Sequence, residues 1–522
     1  MEPVDSDRKL GTIILDAFDK NPDHVAQIDA KTGEQTSNGK MKECSIRCAL
    51  WLKKLGIGPQ DIIVTCTHNH LDSYVPFIAT IFIDAIFNGW NYNITLDGAR
   101  CYMKQFLPKV IFTCEKVAEL LREASRLEKL IVEIVVIGKH SSLPTLIDII
   151  NSQAEEEIAN FIPVNLKNPE EVAFIFFSSG STDRQKGIMK SNKSLLSTLL
   201  TLPSFTSTVT QKFLWYTTLD WASCIIFILQ TILMEQTRII PTHCVVENLF
   251  QTIEKYKINR VFLPPNFIPY VAKSNLTQKY DLKSLHFVII GGIKYSRDIL
   301  EDLKQNIPSA FFYYFYGSTE LGIVFNATPA CKRIESVGII TNNVKAKFVD
   351  LTTGANLGPN QPGEICVKSP AKMIGYYNNL ETTKQAFDEY GWYHTGDIGY
   401  YDETGEVFIV DRINAMIEYR NHQISPVEIE ETLLSHPDIQ EAIVVALPHE
   451  IDGNWPAAFC KKAPNSNVTK EDLMKLTSIL EDYKKLRGGI HFIDNFLYTT
   501  CGKIARNEMK LLAIKLVSKE SE

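Results

Sequence analysis

Short apolar segments rich in β-branched and aromatic residues alternate with longer amphipathic segments over most of the chain. The apolar segments predict buried strands, and the amphipathic segments predict helices. The predicted strands are 62–66, 110–114, 134–137, 172–177, 260–263, 287–290 and 311–315. The predicted helices are 44–55, 115–124, 246–256 and 297–305. Strands interleaved with helices indicate βαβ units, so we expect an α/β fold with mostly parallel, doubly wound sheets.

The pattern changes at two points further along the chain. After about residue 337, short strands and turns predict a smaller β-rich subdomain over residues 337–411. A second break follows the apolar strand 407–410, at Asp411 and Arg412. Beyond this break the sequence predicts a helix at 426–434, a strand at 441–446, and helices at 470–486 and 506–517. We therefore predict a large body over residues 1–411 and a small α+β cap over residues 412–522.

Composition excludes several classes of protein. The chain has 522 residues, of which 45% are hydrophobic and 22% charged, so it is globular rather than disordered and exceeds a single core. A net charge of −7 without basic clusters argues against a nucleic-acid partner. The longest apolar runs are shorter than the roughly 20 residues of a membrane-spanning helix. Eleven cysteines without a CxxC pair, and no apolar N-terminal signal, predict a soluble intracellular protein.

A loop that suits phosphate binding follows the predicted strand 172–177. Its small residues are Ser178, Ser179, Gly180, Ser181 and Thr182, and Lys186 closes it. Hydroxyl groups around a glycine let backbone N–H groups converge on phosphate oxygens, and a lysine adds positive charge. Gly187 follows Lys186, so the segment is not a Walker loop. Taken alone, such a cluster also fits an ordinary connecting loop.

Three further clusters occur in order along the chain. Gly291 and Gly292 end a predicted strand and allow close approach by a planar group such as a purine. The next strand runs into an aromatic residue, a glycine, hydroxyls and a carboxylate: Tyr316, Gly317, Ser318, Thr319 and Glu320. Asp397 follows a tight turn and suits a ribose diol. Because open α/β sheets bind ligands at the carboxyl ends of their strands, these clusters together predict a nucleotide site.

This ordered set of motifs resembles the adenylate-forming superfamily, and within it the insect acyl-CoA synthetases and beetle luciferases. The resemblance covers nearly the whole chain. The segments that carry it are 178–187, 263–265, 291–292, 316–320, 392–399, 408–412, 485–489 and 502–503. It implies that the cap is mobile and rotates about a hinge near Asp411 between two half-reactions.

The resemblance also implies a chemistry. A carboxylate and ATP would give an acyl-adenylate and pyrophosphate, with Mg²⁺ as cofactor, and coenzyme A would then take the acyl group. The leading interpretation is an acyl-CoA ligase for a medium- or long-chain fatty acid. A luciferase-like monooxygenase and a weakly active or non-catalytic ligand-binding paralogue are the alternatives. Relatives are often peroxisomal, but the chain lacks a Ser-Lys-Leu ending, so peroxisome and cytoplasm both stay open, as does the oligomeric state.

The resemblance assigns roles residue by residue. The β- and γ-phosphates would be held by Ser178, Ser179, Gly180, Ser181, Thr182 and Lys186. Gly292 and Tyr316 would line the adenine slot, and Gly317 would also bind the nucleotide. Thr319 would bond the α-phosphate, and Glu320 would ligate Mg²⁺. Asp397, with Arg412 close by, would hold the ribose hydroxyls. Lys503 on the cap would reach the α-phosphate and the substrate carboxylate.

Several positions depart from the usual family pattern. Asp183 and Gln185 replace a glycine and a proline in the phosphate loop. Asp220 lies in the segment that normally shapes the acyl pocket, where we expect it to point elsewhere or to pair with a cation. Glu418 and Asn421 replace a lysine and a glycine that serve the second half-reaction. The changes at Glu418 and Asn421 predict that thiolysis or light emission is weakened more than adenylation, whereas the acid at Asp183 adds like-charge repulsion to the phosphate loop.

Overall fold

A computed structural model describes residues 9–164, 168–177, 186–201, 211–241, 245–420, 422–449, 451–498 and 504–520. The helices are α1 Leu10–Lys20, α2 Asn38–Lys54, α3 Val75–Phe82, α4 Leu96–Phe106, α5 Glu115–Glu128, α6 Leu146–Asn151, α7 Glu155–Ala159, α8 Asn192–Thr201, α9 Ala222–Leu233, α10 Val246–Tyr256, α11 Ile268–Lys273, α12 Arg297–Asn306, α13 Leu380–Gln385, α14 Pro426–Leu434, α15 Lys470–Thr477 and α16 Arg506–Glu520. None of the helices formed by these described residues is long and apolar enough to cross a bilayer.

The strands form four sheets. They are β1 Val25–Asp29, β2 Gln35–Ser37, β3 Ile62–Cys66, β4 Ile86–Gly89, β5 Val110–Cys114, β6 Glu133–Ile137, β7 Val172–Phe177, β8 Gly187–Ser191, β9 Lys212–Trp215, β10 Thr237–Ile240, β11 Arg260–Phe262, β12 Phe287–Gly291, β13 Phe311–Ser318, β14 Gly322–Asn326, β15 Ile339–Ile340, β16 Lys345–Val349, β17 Gly363–Lys368, β18 Gly375–Tyr376, β19 Tyr393–Tyr401, β20 Val407–Arg412, β21 Ile417–Tyr419, β22 His422–Ile424, β23 Ile439–His449, β24 Gly453–Lys462 and β25 Ile490–Phe492.

Two large sheets carry the first part of the chain. One has the order β18-β8-β7-β4-β3-β5-β6, and the other has the order β15-β14-β13-β12-β11-β9-β10-β1-β2. The pairs from β7 through β6 and from β13 through β1 are parallel. Parallel sheets covered by helices confirm the predicted α/β fold with doubly wound sheets.

Two smaller sheets follow. Strands β16, β17, β19 and β20 form an antiparallel sheet over Lys345–Arg412, and β21 to β25 form a sheet packed by α14, α15 and α16. The apolar positions of β23 and β24 alternate between two buried clusters, one on each face of that last sheet. Helices therefore cover both faces of this sheet, which explains its mostly buried strands.

The apolar patterns located most elements within a few residues. Strands predicted at 62–66, 110–114 and 172–177 occur at those positions, as do the helices predicted at 246–256 and 426–434. The helix predicted at 44–55 begins earlier, at Asn38, because the Ser37 hydroxyl accepts the Lys40 N–H at 3.2 Å and caps it.

The helix predicted at 470–486 is wrong in length. Helix α15 ends at Thr477, and a short 3₁₀ turn, Asp482–Lys484, lies where the rest was expected. The Ser478 hydroxyl donates to the Lys475 carbonyl oxygen at 2.6 Å, and Ile479 is 79% exposed. The helix ends early for two reasons. The Ser478 hydroxyl bonds a carbonyl of the last helical turn, and the exposed Ile479 gains nothing from packing.

Candidate active site

Asp397 lies at the centre of a buried polar cluster between the second large sheet and the β16–β20 sheet. Its Oδ2 accepts the Tyr316 hydroxyl at 2.6 Å, and its Oδ1 accepts Arg412 Nε at 2.8 Å. Strand pairing sets this geometry, because Asp397 lies directly opposite Arg412 across β19 and β20. Tyr316 comes from β13, and its ring lies 5.6 Å from that of Phe325 on the neighbouring β14, tilted by 31°. The structure therefore brings together three residues that the sequence predicted to hold a nucleoside.

The two groups that donate to Asp397 both have raised pKa values. Burial, and then the Asp397 carboxylate, raise the pKa of the Tyr316 hydroxyl well above its ordinary value. The same carboxylate raises the pKa of Arg412. Both partners thus keep their protons at neutral pH and remain donors to Asp397. Each Asp397 oxygen retains a free lone pair, as an acceptor of ribose hydroxyls requires.

A second cluster surrounds Glu320. The Tyr376 hydroxyl donates to Glu320 Oε1 at 3.2 Å and lies 3.3 Å from the Tyr393 hydroxyl. Lys186 Nζ lies over the Tyr376 ring, 5.1 Å from its centroid. Burial and the Glu320 carboxylate raise the pKa of Tyr376 to about 12, so this phenol stays a donor. Lys186 and Glu320, remote in sequence, therefore meet around one aromatic ring.

Tyr376 is a site residue that the sequence reasoning missed. It belongs to the two-residue strand β18, which pairs with β8 immediately after Lys186 and places Tyr376 opposite Ile188. Nothing local in the sequence marks so short a strand, because its partner lies almost two hundred residues earlier. Only the sheet register brings the phenol between the phosphate-loop lysine and Glu320.

The remaining predicted residues of the body lie at the same strand ends. Gly292 follows β12 with φ of +89°, and Gly291 is opposite Phe315 on β13. Thr319 is half-buried in the turn between β13 and β14. A Cβ on Gly317 would come within 2.3 Å of the Gly322 carbonyl oxygen, so this hairpin requires glycine there whether or not a ligand binds.

Part of the predicted site lies outside the described residues. This part comprises the phosphate loop, Ser178, Ser179, Gly180, Ser181 and Thr182, together with Asp183, Gln185, Asn421 and Lys503. Their assignments stay predictions. The described neighbours of Lys503 are held in place: the Ala505 N–H donates to the Leu497 carbonyl oxygen at 2.8 Å, and Arg506 Nη1 donates to Glu430 at 2.7 Å.

The cap contacts the body at the carboxyl end of β20, at Lys294 after β12 and at α11. Asp411 accepts the Ser425 hydroxyl and, at 3.4 Å, the Val427 N–H at the start of α14. Lys294 pairs with Glu431 at 3.0 Å, and Lys273 Nζ donates to the Ile439 carbonyl oxygen at 2.8 Å. The acid at the predicted hinge thus also caps the first helix of the cap.

The structure describes Asp220 and Glu418, two of the residues that depart from the family pattern. Asp220 accepts Asn91 Nδ2 at 3.1 Å and the Thr218 hydroxyl. Burial raises the pKa of Asp220, and these two neutral donors oppose the rise. The expected pairing with a cation is therefore replaced by two neutral hydrogen bonds. Glu418 is exposed on β21, where its backbone carbonyl accepts Asn454 Nδ2 at 3.2 Å.

A buried lysine adjoins the Glu320 cluster. Lys190 on β8 is 3% exposed, and its ammonium donates to the Ala371 carbonyl oxygen. Burial lowers the pKa of Lys190 to about 7, and the Glu320 carboxylate opposes that effect. The favourable interactions of the Lys190 ammonium are thus weaker than the cost of removing it from water.

Replacing Lys190 with methionine is expected to stabilise the protein most at low pH. The folded pKa of about 7 lies below the ordinary value of 10.5, so the penalty is complete below pH 7. The penalty declines between pH 7 and pH 10.5, because in this range the unfolded chain holds the lysine proton and the folded chain does not. We expect the variant to gain roughly 2 kcal/mol at pH 6 and to lose the rise in stability above pH 7. Urea unfolding at several pH values measures this.

Lys193→Met is the matched control, because Lys193 lies on α8 and pairs with Glu170 at the surface. Its effect should stay within about 0.5 kcal/mol at every pH. A Lys190→Met protein that is less stable than wild type at pH 6, or that keeps the same pH slope, would contradict a desolvated lysine.

The donors at the strand ends suit a Mg-bound nucleotide. The Glu320 carboxylate is a hard oxygen donor of the kind that Mg²⁺ prefers. Beside it, Ser318 Oγ is buried, and no partner for it occurs among the described residues. A buried hydroxyl without a protein partner is rare, and a phosphate or metal-bound oxygen would satisfy it. The residues present therefore fit ATP and Mg²⁺.

Comparison with known families accounts for most of the chain. Residues 15–377 match the family described as AMP-binding enzyme, and residues 428–503 match the AMP-binding enzyme C-terminal domain. The chain is 30% identical over 521 residues to a 4-coumarate–CoA ligase, CCL1, of Humulus lupulus, covering 96% of this chain and 92% of that protein. It is also 30% identical over 521 residues to luciferin 4-monooxygenase of Nipponoluciola cruciata, covering 95% and 92% respectively.

Solved structures show the same fold. A luciferase-like enzyme from the nonluminescent mealworm Zophobas morio superposes with a TM-score of 0.73 at 29% identity, over 79% of this chain and 97% of that one. ATP-bound MatB from Rhodopseudomonas palustris superposes with a TM-score of 0.87 at 21% identity, over 97% of this chain and 99% of that one.

Proposed function

The chain belongs to the AMP-binding enzyme family, as its motifs predict, and from this premise we propose that it converts a medium- or long-chain fatty acid to its coenzyme A thioester. Activation of a carboxylic acid by ATP through an acyl-adenylate is the chemistry of this family of ligases. One observation carries the proposal for this chain. Lys186 and Glu320 meet at Tyr376, while Tyr316 and Arg412 both donate to Asp397, the acid that we assign to the ribose.

In the first half-reaction a carboxylate oxygen of the fatty acid attacks the α-phosphorus of ATP, and the bond to the pyrophosphate oxygen breaks. Negative charge grows on the phosphoryl oxygens, so positioning and charge neutralisation matter more than a general base. We assign Asp397 to the ribose hydroxyls, Thr319 to the α-phosphate, and Lys186 with the loop 178–182 to the β- and γ-phosphates. Lys503 neutralises the α-phosphate and orients the incoming carboxylate.

Glu320 is the residue that would hold Mg²⁺. The Tyr376 hydroxyl fixes the orientation of its carboxylate, as a partner of a metal-binding acid does. When bound, Mg²⁺ neutralises charge that develops on the phosphate oxygens.

In the second half-reaction the thiolate of coenzyme A attacks the acyl carbonyl carbon, and AMP leaves. We propose that the cap turns about the segment at Asp411 to admit the thiol. Rotation would break the contacts of Lys294 with Glu431 and of Lys273 with Ile439, which are polar and therefore exchange readily for water. Glu418 and Asn421 make this step the slower one, since they remove a cation and a glycine from that surface.

A luciferase-like oxidation of the adenylate is the second candidate, because luciferin 4-monooxygenases are among the similar proteins. The departures in the phosphate loop favour a third candidate, a paralogue that binds ligands with little turnover. A peroxisomal or cytoplasmic location inside the cell belongs to the same proposal.

Pyrophosphate exchange distinguishes the three candidates. Purified protein with Mg·ATP and labelled pyrophosphate is assayed over a series of carboxylic acids that includes fatty acids of six to eighteen carbons. We expect exchange with fatty acids, and thioester by mass spectrometry once coenzyme A is added. Exchange without thioester would reject the ligase, and light with luciferin would support the second candidate. No exchange with any acid would reject catalysis by this chain.

A further inference from the structure

A cluster of three different metal-binding side chains lies on the β16–β20 sheet. It consists of Glu364 and Cys366 on β17 and His394 on β19. Strand alternation puts Glu364 and Cys366 on the same face, and His394 lies directly opposite Cys366. Their donor atoms all lie within 4.8 Å of one another. The nucleotide chemistry assigned above uses none of the three.

The separations suit a tetrahedral ion. Cys366 Sγ lies 3.5 Å from His394 Nδ1, and Nδ1 lies 2.8 Å from Glu364 Oε2. Two ligands of tetrahedral zinc, with Zn–S of about 2.3 Å and Zn–N of about 2.0 Å, stand about 3.5 Å apart. The nitrogen and oxygen are closer than this because they are hydrogen-bonded, and binding of an ion requires them to move apart.

The cluster is buried on one side and open on the other. Cys366 is buried, whereas the His394 side chain is 37% exposed and offers a path for entry and a fourth ligand position. Lys347 lies opposite Cys366 on β16, but its ammonium faces the Trp392 ring at 4.9 Å and Asp388 at 3.7 Å. The positive charge of Lys347 repels a metal ion, but it also stabilises the Cys366 thiolate that such an ion would bind.

The donor set selects the kind of ion. A thiol binds a metal ion as the thiolate, so the ion has to displace the Cys366 proton. Magnesium and calcium bind thiolates poorly, whereas zinc binds sulfur, imidazole and carboxylate together. Three protein ligands and one open position are an arrangement that zinc adopts in proteins.

The cluster also supports the strand segment that carries Asp397. Between the pairs 366–394 and 364–398 the register of β19 shifts, and Asp397 lies in this bulge. The second Glu364 oxygen, Oε1, accepts the Gly396 N–H at 3.1 Å, and Gly396 has φ of +69°. Glu364 therefore connects the three-donor cluster to the bulge.

We propose that Glu364, Cys366 and His394 form a zinc-binding site that stabilises the β19 bulge. The ion forms bonds to Sγ, Nδ1 and one Glu364 oxygen. The thiol proton goes to solvent, and the proton of the Nδ1–Glu364 hydrogen bond leaves it, so that His394 binds as a neutral imidazole with its proton on Nε2. Metal binding at this site requires neither a bound nucleotide nor turnover. The inference is therefore independent of the proposed ligase activity.

The test is metal binding by the full-length protein, stripped with a chelator and held in excess Mg²⁺ so that hard-ion sites are occupied. Titration with Co²⁺ as a spectroscopic substitute is expected to give one equivalent, with a thiolate charge-transfer band and the visible bands of a tetrahedral site. One equivalent of Zn²⁺ should abolish this spectrum. Zinc should also raise the unfolding midpoint by a few degrees, because it binds only the folded chain.

Cys366→Ala and His394→Gln should each remove the thiolate band and the stabilisation by zinc, while their circular dichroism stays that of wild type. Cys101→Ser is the matched control, because Cys101 is an exposed thiol outside the cluster, and it should keep both signals. The site is rejected if wild type takes up no Co²⁺ in excess Mg²⁺, or if the thiolate band survives in Cys366→Ala. Two independent substitutions guard against loss through misfolding of one variant.

Discussion

Replacing Lys503 with alanine is expected to lower fatty-acid-dependent pyrophosphate release by roughly 10²–10³-fold, about 3–4 kcal/mol of transition-state stabilisation. The lysine would neutralise charge on the α-phosphate as the carboxylate attacks, and alanine leaves that charge unbalanced. The chain immediately after it is anchored by Arg506, which bonds both Glu430 and the Val444 carbonyl oxygen at 2.7 Å. Alanine at 503 should therefore leave the cap folded. Initial rates of pyrophosphate release at saturating ATP measure the effect.

Thiolysis provides the internal control for this variant. Supplied with a pre-made acyl-adenylate and coenzyme A, Lys503→Ala should form thioester at close to the wild-type rate, because the proposal assigns the lysine to the first half-reaction alone. Lys515→Ala, an exposed lysine on α16, should match wild type in both assays. Unchanged pyrophosphate release would remove Lys503 from the mechanism, and equal loss of both half-reactions would indicate a structural role.

Replacing Asp397 with asparagine is expected to raise the Michaelis constant for ATP by about 100-fold, or about 2.7 kcal/mol. Asparagine keeps the shape of the side chain but offers one acceptor oxygen in place of two, and it leaves Arg412 and Tyr316 facing a neutral amide. The carboxylate now accepts both donors at 2.6–2.8 Å. Loss of charge-assisted bonds to the ribose and to Arg412 therefore falls mainly on binding.

Deoxyadenosine triphosphate and a surface variant make this measurement specific. The variant should discriminate little between ATP and its 2′-deoxy form, whereas wild type should prefer ATP, since the contact at issue is with ribose hydroxyls. Glu403→Gln removes an exposed acid from the turn after the same strand and should leave the constant unchanged. An ATP constant within threefold of wild type in Asp397→Asn would place the ribose elsewhere.

Local sequence patterns determined much of the fold and the candidates for its site. Strands such as Val172–Phe177 and helices such as Val246–Tyr256 follow from the spacing of apolar residues, which depends on neighbours in the chain. The predicted helix at 470–486 was too long because the spacing of apolar residues does not show where the tertiary packing of a helix ends. Tyr316, Asp397 and Arg412 could be chosen from motifs, and the structure brings them together.

Tertiary structure alone decided which other groups join them. Tyr376 reaches Glu320 through the pairing of β18 with β8, and Lys190 is buried where its ammonium meets the Ala371 carbonyl oxygen from a distant segment. Cys366 and His394 meet only because β17 and β19 pair in one register. Side-chain periodicity is a property of consecutive residues, whereas register is fixed by the burial of many residues from distant segments at once. The sequence thus determined the elements and the motif residues of this protein, and long-range pairing decided the partners, burial and charges that surround them.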